Sequence, residues 1–207
     1  MVRFIIVRHG LTDFNRLRKY QGQYDSNLEP VGIEQAEVTA ERVAATYKLD
    51  AIYSSDLSRA VMTAEPFARR FSLPINKDAA FREVDVGEWT LQLIAYVEKN
   101  YPEDIRAYRS AVGEFRFPGG ESFEDTAKRA MDGLMKIAEK HDGETVLVVS
   151  HGGTIRAMIC ALLGYPIKEL SRVSPVGNAS ITVVEYENGQ ARFILTGERS
   201  HLPEHLK

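Results

Sequence analysis

Phe4-Ile5-Ile6-Val7-Arg8-His9-Gly10 and, far along the chain, Thr145-Val146-Leu147-Val148-Val149-Ser150-His151-Gly152-Gly153 share one plan. Each is a short apolar run that ends on a histidine and then on glycine. An unbroken apolar run of this length reads as a strand covered on both faces, as the strands of a parallel sheet are. In open α/β sheets, ligands bind at the carboxyl ends of the strands, where the chain turns into a loop or helix. A lone buried histidine more often serves the structure. Two of them at strand ends, each followed by glycine, point to one functional site assembled from distant parts of the chain.

Working outward, Ile33, Ala36, Ala40, Val43, Ala44 and Tyr47 recur at helical spacing, as do Leu57, Ala60, Val61, Ala64, Phe67 and Phe71. A third helix carries Phe123, Ala127, Ala130, Met131, Leu134 and Ala138. It starts from a capping-box pair, Ser122 and Asp125, behind Pro118-Gly119-Gly120. A fourth follows His151 through Ile155, Met158, Ile159 and Leu162 and stops at Gly164. Strands are expected near 2–7, 51–53, 145–149, 179–186 and 191–196, the last two forming a hairpin at Glu187-Asn188-Gly189. The alternation predicts an α/β fold: a three-layer α/β/α sandwich with a mostly parallel sheet and an antiparallel edge strand. No repeat or linker divides the sequence, so residues 1–207 read as one domain. The segment 88–120, aperiodic, aromatic and charged, reads as a flap over the site.

A chain of 207 residues is long enough to bury one substantial core. Composition is that of an ordinary globular protein, 44% hydrophobic and 27% charged, and a formal charge of −3 offers no general nucleic-acid-binding surface. The single Cys160 excludes an intramolecular disulfide and a cysteine metal cluster. No apolar run approaches the ~20 residues of a membrane span. The chain enters its first strand with no apolar leader, so a cytoplasmic protein with no nucleic-acid or membrane partner is expected.

Two further residues sit at expected element ends, from which a side chain could reach the same pocket. Arg59, after Ser54-Ser55-Asp56-Leu57, falls in the first turn of a helix, where a cation and free amide N–H groups suit an anion. A solvated helix arginine is the plainer reading. Glu83 lies in Phe81-Arg82-Glu83-Val84-Asp85-Val86-Gly87, and its plainer reading is an exposed strand acid. His141 has no such context and reads as a surface residue. His201-Leu202-Pro203-Glu204-His205 spells a zinc-peptidase pattern, but Pro203 spoils the helix that pattern needs, and no metal site is expected.

Five blocks taken together resemble the histidine phosphatase superfamily, and within it the phosphoglycerate-mutase-like branch. They are Arg8-His9-Gly10, Ser54-Ser55-Asp56-Leu57-Ser58-Arg59-Ala60, Arg82-Glu83 with Gly87-Glu88-Trp89, Pro118-Gly119-Gly120-Glu121-Ser122, and Ser150-His151-Gly152-Gly153. They occur in the family's order and span residues 2 to about 201. The resemblance implies that His9 is the nucleophile that becomes phosphorylated. Arg8, Arg59 and His151, with Gly152 beside it, would surround the phosphoryl group. Glu83 would give and take the proton, while Asn15, Gln21 and Gly22 would line the substrate pocket. It implies a small phosphomonoester as substrate and no cofactor, and it leaves a homodimer open.

The residue types fit that chemistry. Phosphoryl transfer asks mainly for positioning and for neutralisation of the equatorial oxygens, which two guanidinium forks supply. A histidine nucleophile needs a bare lone pair, and neighbouring cations disfavour its protonation. A carboxyl group can protonate the leaving alkoxide and then deprotonate the attacking water. Leu11 and Thr90-Leu91 depart from the family pattern, Leu91 placing apolar surface beside Glu83. Val86, with Tyr96, Tyr101, Arg106, Tyr108 and Arg109, suggests a pocket that is not wholly polar, and His201 is a candidate to approach the substrate. The alternative activity is a phosphoglycerate mutase. A mutase must keep water from its phosphoenzyme, and the span between Glu83 and His151 is short for such a lid. A catalytically inactive binding protein is the third reading, opposed by the survival of every candidate catalytic residue.

Overall fold

The structure is a computed structural model and describes residues 1–207. Strand β1 (Val2–Arg8) sends alternate side chains into two cores. Phe4 and Ile6 join a larger cluster with residues of α6 (Phe123–Lys140) and α7 (Gly152–Leu162). Ile5 and Val7 join a smaller one with α2 (Pro30–Ala44) and α3 (Ser58–Phe71). That double burial is why the run shows no polar alternation. The predicted three layers are present, with helices on both faces of a six-stranded sheet.

The strand order is β3-β2-β4-β1-β5-β6. Strands β3 (Ile75–Lys77), β2 (Ala51–Ser54), β4 (Thr145–Ser150) and β1 run parallel. The hairpin of β5 (Ile181–Glu187) and β6 (Gln190–Glu198) extends the other side, with β5 antiparallel to β1 and β6 at the edge. Asn188 and Gly189 both take positive φ (50° and 80°), the backbone of a tight two-residue turn. Helix α6 starts from the expected capping box, Ser122 with Asp125.

Three expectations need correction. The sequence gives no sign of β3, because it has three residues and two of them, Asn76 and Lys77, are exposed. The segment 88–120 is not without helices: α1 (Asp13–Arg16) is a four-residue turn early in the chain, and α4 (Ile94–Asn100) and α5 (Pro102–Ser110) lie within this segment. Each of α4 and α5 buries a single residue, Val97 and Ile105, too few to show a helical stripe. They are anchored on Trp89, fully buried among Tyr20, Tyr108, Phe115 and Phe117 at ring separations of 5.1, 6.1, 5.5 and 5.2 Å. His141 is buried, not a surface residue. It closes α6 with Nε2 at 3.0 Å from the Tyr53 hydroxyl and Nδ1 at 2.6 Å from Glu144.

The loop after β1 touches the start of α2 so closely that a Cβ on Gly10 would lie 2.3 Å from the Gly32 carbonyl oxygen. Backbone cannot swing aside as a side chain can. Gly10→Ala is therefore expected to destabilise the fold by about 1–3 kcal/mol, lowering Tm by several degrees in a chain of this size. An unchanged Tm in thermal denaturation would contradict this account of the contact.

Candidate active site

Register places the site. Arg8 pairs with Ser150 across β1 and β4, and Ser54 pairs with Val149 across β2 and β4, so three adjacent parallel strands end level. The next residues are His9, His151 and Ser55, on strands spaced about 4.8 Å apart. The imidazole centroids of His9 and His151 accordingly lie 5.1 Å apart. Arg59, four residues beyond Ser55 in the first turn of α3, is fully buried beside them.

His9 Nδ1 lies 2.8 Å from the Gly10 carbonyl oxygen. A carbonyl only accepts, so Nδ1 carries the proton and Nε2 keeps a bare lone pair. Burial, then Arg59, then Arg8 hold the His9 pKa well below the ordinary imidazole range, so the ring is neutral at pH 7. His151 Nδ1 accepts from Arg59 Nε at 3.2 Å, which places the proton of its neutral ring on Nε2, 2.8 Å from the Ser55 hydroxyl. Burial, then Arg59, His9 and Arg8 depress its pKa as well.

The two guanidiniums are held differently. Arg59 donates to the carbonyls of Tyr24 (2.7 Å) and Gly22 (2.8 Å). Burial lowers its pKa to about 10, which still leaves it charged at neutral pH. Arg8 donates from one terminal nitrogen to the Val176 carbonyl at 2.6 Å, while its buried Nε has no protein partner. A buried donor without an acceptor costs about 1–3 kcal/mol, which an anion's oxygen would relieve.

Arg8, His9, Asn15, Gln21, Gly22, Arg59 and Glu83 line one cavity of about 210 Å³. His151 and Gly152 are not part of that lining; they stand behind it, against the His9 ring and the Arg8 guanidinium. A roomier cleft of about 1010 Å³ near Tyr165 carries no histidine, and its charged side chains are all exposed.

Glu83 occupies a loop rather than a strand, between turns at Ala79–Phe81 and Gly87–Trp89. Its carboxylate accepts from the amides of Val84 (3.0 Å), Gly153 (3.3 Å) and Thr154 (3.1 Å), the last two in the first turn of α7. A Cβ on Gly153 would lie 2.8 Å from that carboxylate, which explains the second glycine after His151. Arg82 turns away and pairs with Asp56 at 2.7 and 2.5 Å.

Several expected contributors stand elsewhere. Leu91 is exposed in a left-handed turn (φ 68°), and Val86, Tyr108, Phe117 and Phe123 form the apolar wall beside Glu83 instead. Tyr96 is exposed, and Arg106 and Arg109 pair with Glu103 and Glu98 on the surface. His201 is buried against Thr39, 3.0 Å from its hydroxyl, away from the cavity. Leu11 is not in the lining either.

Other residues of the site carry no local signal in the sequence. Asn178 donates to the carbonyls of His9 (3.1 Å) and Gly10 (3.2 Å) and to Asn15 Oδ1 (3.1 Å), tying the histidine loop to the pocket. Thr63 Oγ1 accepts from the Gly10 amide at 3.0 Å. Both act across long sequence separations, which no periodicity reveals.

A family model described as the histidine phosphatase superfamily (branch 1) matches residues 4–198. The chain is 35% identical to phosphoserine phosphatase 1 of Hydrogenobacter thermophilus over 99% of its own length and 96% of that protein's. It is 36% identical to a metal-independent phosphoserine phosphatase of Arabidopsis thaliana, over 98% of this chain and 84% of that one. A mycobacterial glucosyl-3-phosphoglycerate phosphatase solved with VO3 superposes with a TM-score of 0.89 at 31% identity, covering 95% and 99% of the two chains.

Proposed function

The chain belongs to the histidine phosphatase superfamily, and from that premise we propose that it hydrolyses a small phosphomonoester through a phosphohistidine on His9. It is a phosphatase of small phosphorylated metabolites. The observation that carries the finer reading is the free Nε2 of a neutral His9, set among two guanidiniums and facing a cavity that Glu83 closes on another side.

In the first step the Nε2 lone pair attacks phosphorus in line with the ester oxygen. The Arg8 and Arg59 forks neutralise the equatorial oxygens, and the Glu83 carboxyl group gives its proton to the departing alkoxide. In the second, the Glu83 carboxylate takes a proton from water as the water attacks the phosphohistidine. Phosphate leaves, and both His9 and Glu83 return to their starting states. Asn15, Gln21 and Gly22 hold the ester. A volume near 210 Å³ lies below the ~300–1,000 Å³ of pockets for drug-sized ligands, which favours a small metabolite. All six strands form one sheet, which supports one domain over 1–207, and a cytoplasmic location belongs to the same proposal.

A panel of phosphomonoesters assayed for phosphate release, with 3-phosphoglycerate isomerisation measured in parallel, tests the reading. Release should outpace isomerisation for at least one small ester; isomerisation as the faster reaction would make the chain a mutase.

Because the proposed steps use only side chains, dialysis against EDTA should leave the rate unchanged. Vanadate should inhibit strongly, since it takes the trigonal-bipyramidal shape of the transition state on a nitrogen nucleophile. A rate lost to EDTA and restored by zinc or magnesium would overturn this mechanism.

A further inference from the structure

We propose that Arg129 is a positioning residue of the reaction: clamped by Glu121, it fixes the main chain beneath Glu83 and so aims the Glu83 carboxyl group at the leaving-group oxygen. This inference rests on Glu83 being the proton donor.

Arg129 projects from α6 and reaches the loop that carries Glu83. One terminal nitrogen donates to the carbonyls of Ala80 and Arg82, both at 2.8 Å. The other donates to the Glu83 carbonyl at 2.9 Å and to Glu121 Oε2 at 2.9 Å. Nε donates to Glu121 Oε1 at 2.8 Å. All five N–H groups are thus used, three of them on main-chain carbonyls of the segment that leads into the acid. Lysine cannot reproduce that planar fork.

Glu121 completes the clamp from the other side. Its Oε2 accepts from the Asp85 amide at 3.0 Å and from the Thr126 hydroxyl at 3.2 Å. The main chain is held on both sides of Glu83, at Arg82 and Asp85, and its carboxylate then has one direction to take, toward the α7 amides. Gln23 adds a donor to the Glu83 carbonyl at 3.2 Å.

Stability alone is a weak reason for such a pair. Both partners are about four-fifths buried, with side chains 22% exposed, and a buried ion pair is often no more stabilising than apolar side chains of similar volume. What it adds is geometry. A misplacement of about 1 Å at a catalytic group can cost ~100-fold in rate.

The test compares phosphorylation rates by rapid quench for an alkyl phosphate and for p-nitrophenyl phosphate, whose phenolate leaves without protonation. Rates are normalised to burst amplitude, so that only folded, reactive sites are counted. In Arg129→Lys the alkyl ester should slow about 10- to 100-fold and p-nitrophenyl phosphate less than about threefold. Glu121→Gln should show the same split more weakly, and Arg129→Met at least as strongly. Should Arg129→Met fail to fold, Arg129→Lys decides the matter. Equal losses on both esters in Arg129→Lys, or no loss on either, would make Arg129 a brace and overturn the proposal. Glu83→Gln run beside it separates the two claims. A split in Glu83→Gln without one in the Arg129 variant sinks only the positioning role, whereas no split in Glu83→Gln removes the acid itself.

Discussion

Replacing His9 by alanine is expected to lower kcat by roughly 10⁴- to 10⁶-fold, the scale seen when a covalent nucleophile is removed, with only binding and charge stabilisation left in the pocket. The fold should survive. His9 is held by its backbone, its amide donating to the Ser150 carbonyl at 3.0 Å and its carbonyl accepting from Ala179 (3.2 Å) and Asn178 (3.1 Å). None of these needs the ring. Arg8 and Arg59 remain in place, so the variant should still bind substrate and product phosphate. Rapid quench with labelled substrate should trap an acid-labile phosphate on His9 in the wild type and none in the variant. Label on Ser55, Cys160 or a carboxylate, or turnover in His9→Ala within tenfold of wild type, would sink the assignment. Ser55 is the nearest rival, its hydroxyl 2.8 Å from His151 Nε2, but that nitrogen carries the ring proton and donates to the hydroxyl, so it is no base for it. Ser55 is also fully buried and outside the cavity lining, which argues against it.

What could be read from the sequence follows from how many faces each element buries. Strands β1 and β4 are central and covered twice, so their apolar runs stand out, and the histidines at their ends come with them. Strand β3 lies at the edge with one half-buried residue, Ile75, and leaves no pattern. Helices α4 and α5 have seven and nine residues, below the length at which a stripe becomes readable. Arg59 and Glu83 are ambiguous in their own neighbourhoods. Their meaning lies in contacts of Arg59 with His151, and of Glu83 with Gly153 and Thr154, at sequence separations of 92, 70 and 71 residues. Only the ordered set of five blocks carried them into the site. Leu91 and His201 show the opposite failure: proximity in sequence to Glu83, or in motif to the family's carboxy terminus, did not become proximity in space.

Glu83→Gln is expected to slow phosphorylation of His9 by alkyl phosphates by about 10²- to 10⁴-fold and to leave p-nitrophenyl phosphate within about tenfold of wild type. The glutamine keeps the volume and still offers one oxygen to the Val84 and Thr154 amides, leaving the weaker Gly153 contact without an acceptor, but it cannot hand over and regain a proton. Dephosphorylation should slow with both substrates, because the water loses its base. The variant should therefore show a clear phosphorylation burst with p-nitrophenyl phosphate followed by slow turnover. Substitution by a neighbouring acid is not expected to mask the effect. Glu83 is the only carboxylate in the cavity lining; Asp85 is turned to the Gly87 amide at 2.9 Å, and Glu88 lies outside. The phenols in the lining are poor replacements, since burial raises the pKa of Tyr108 and pushes that of Tyr20 up to about 12. A single-turnover burst that falls equally for both esters would remove Glu83 from the acid role, and with every other acid in the cavity weaker, proton delivery would then have to come from water.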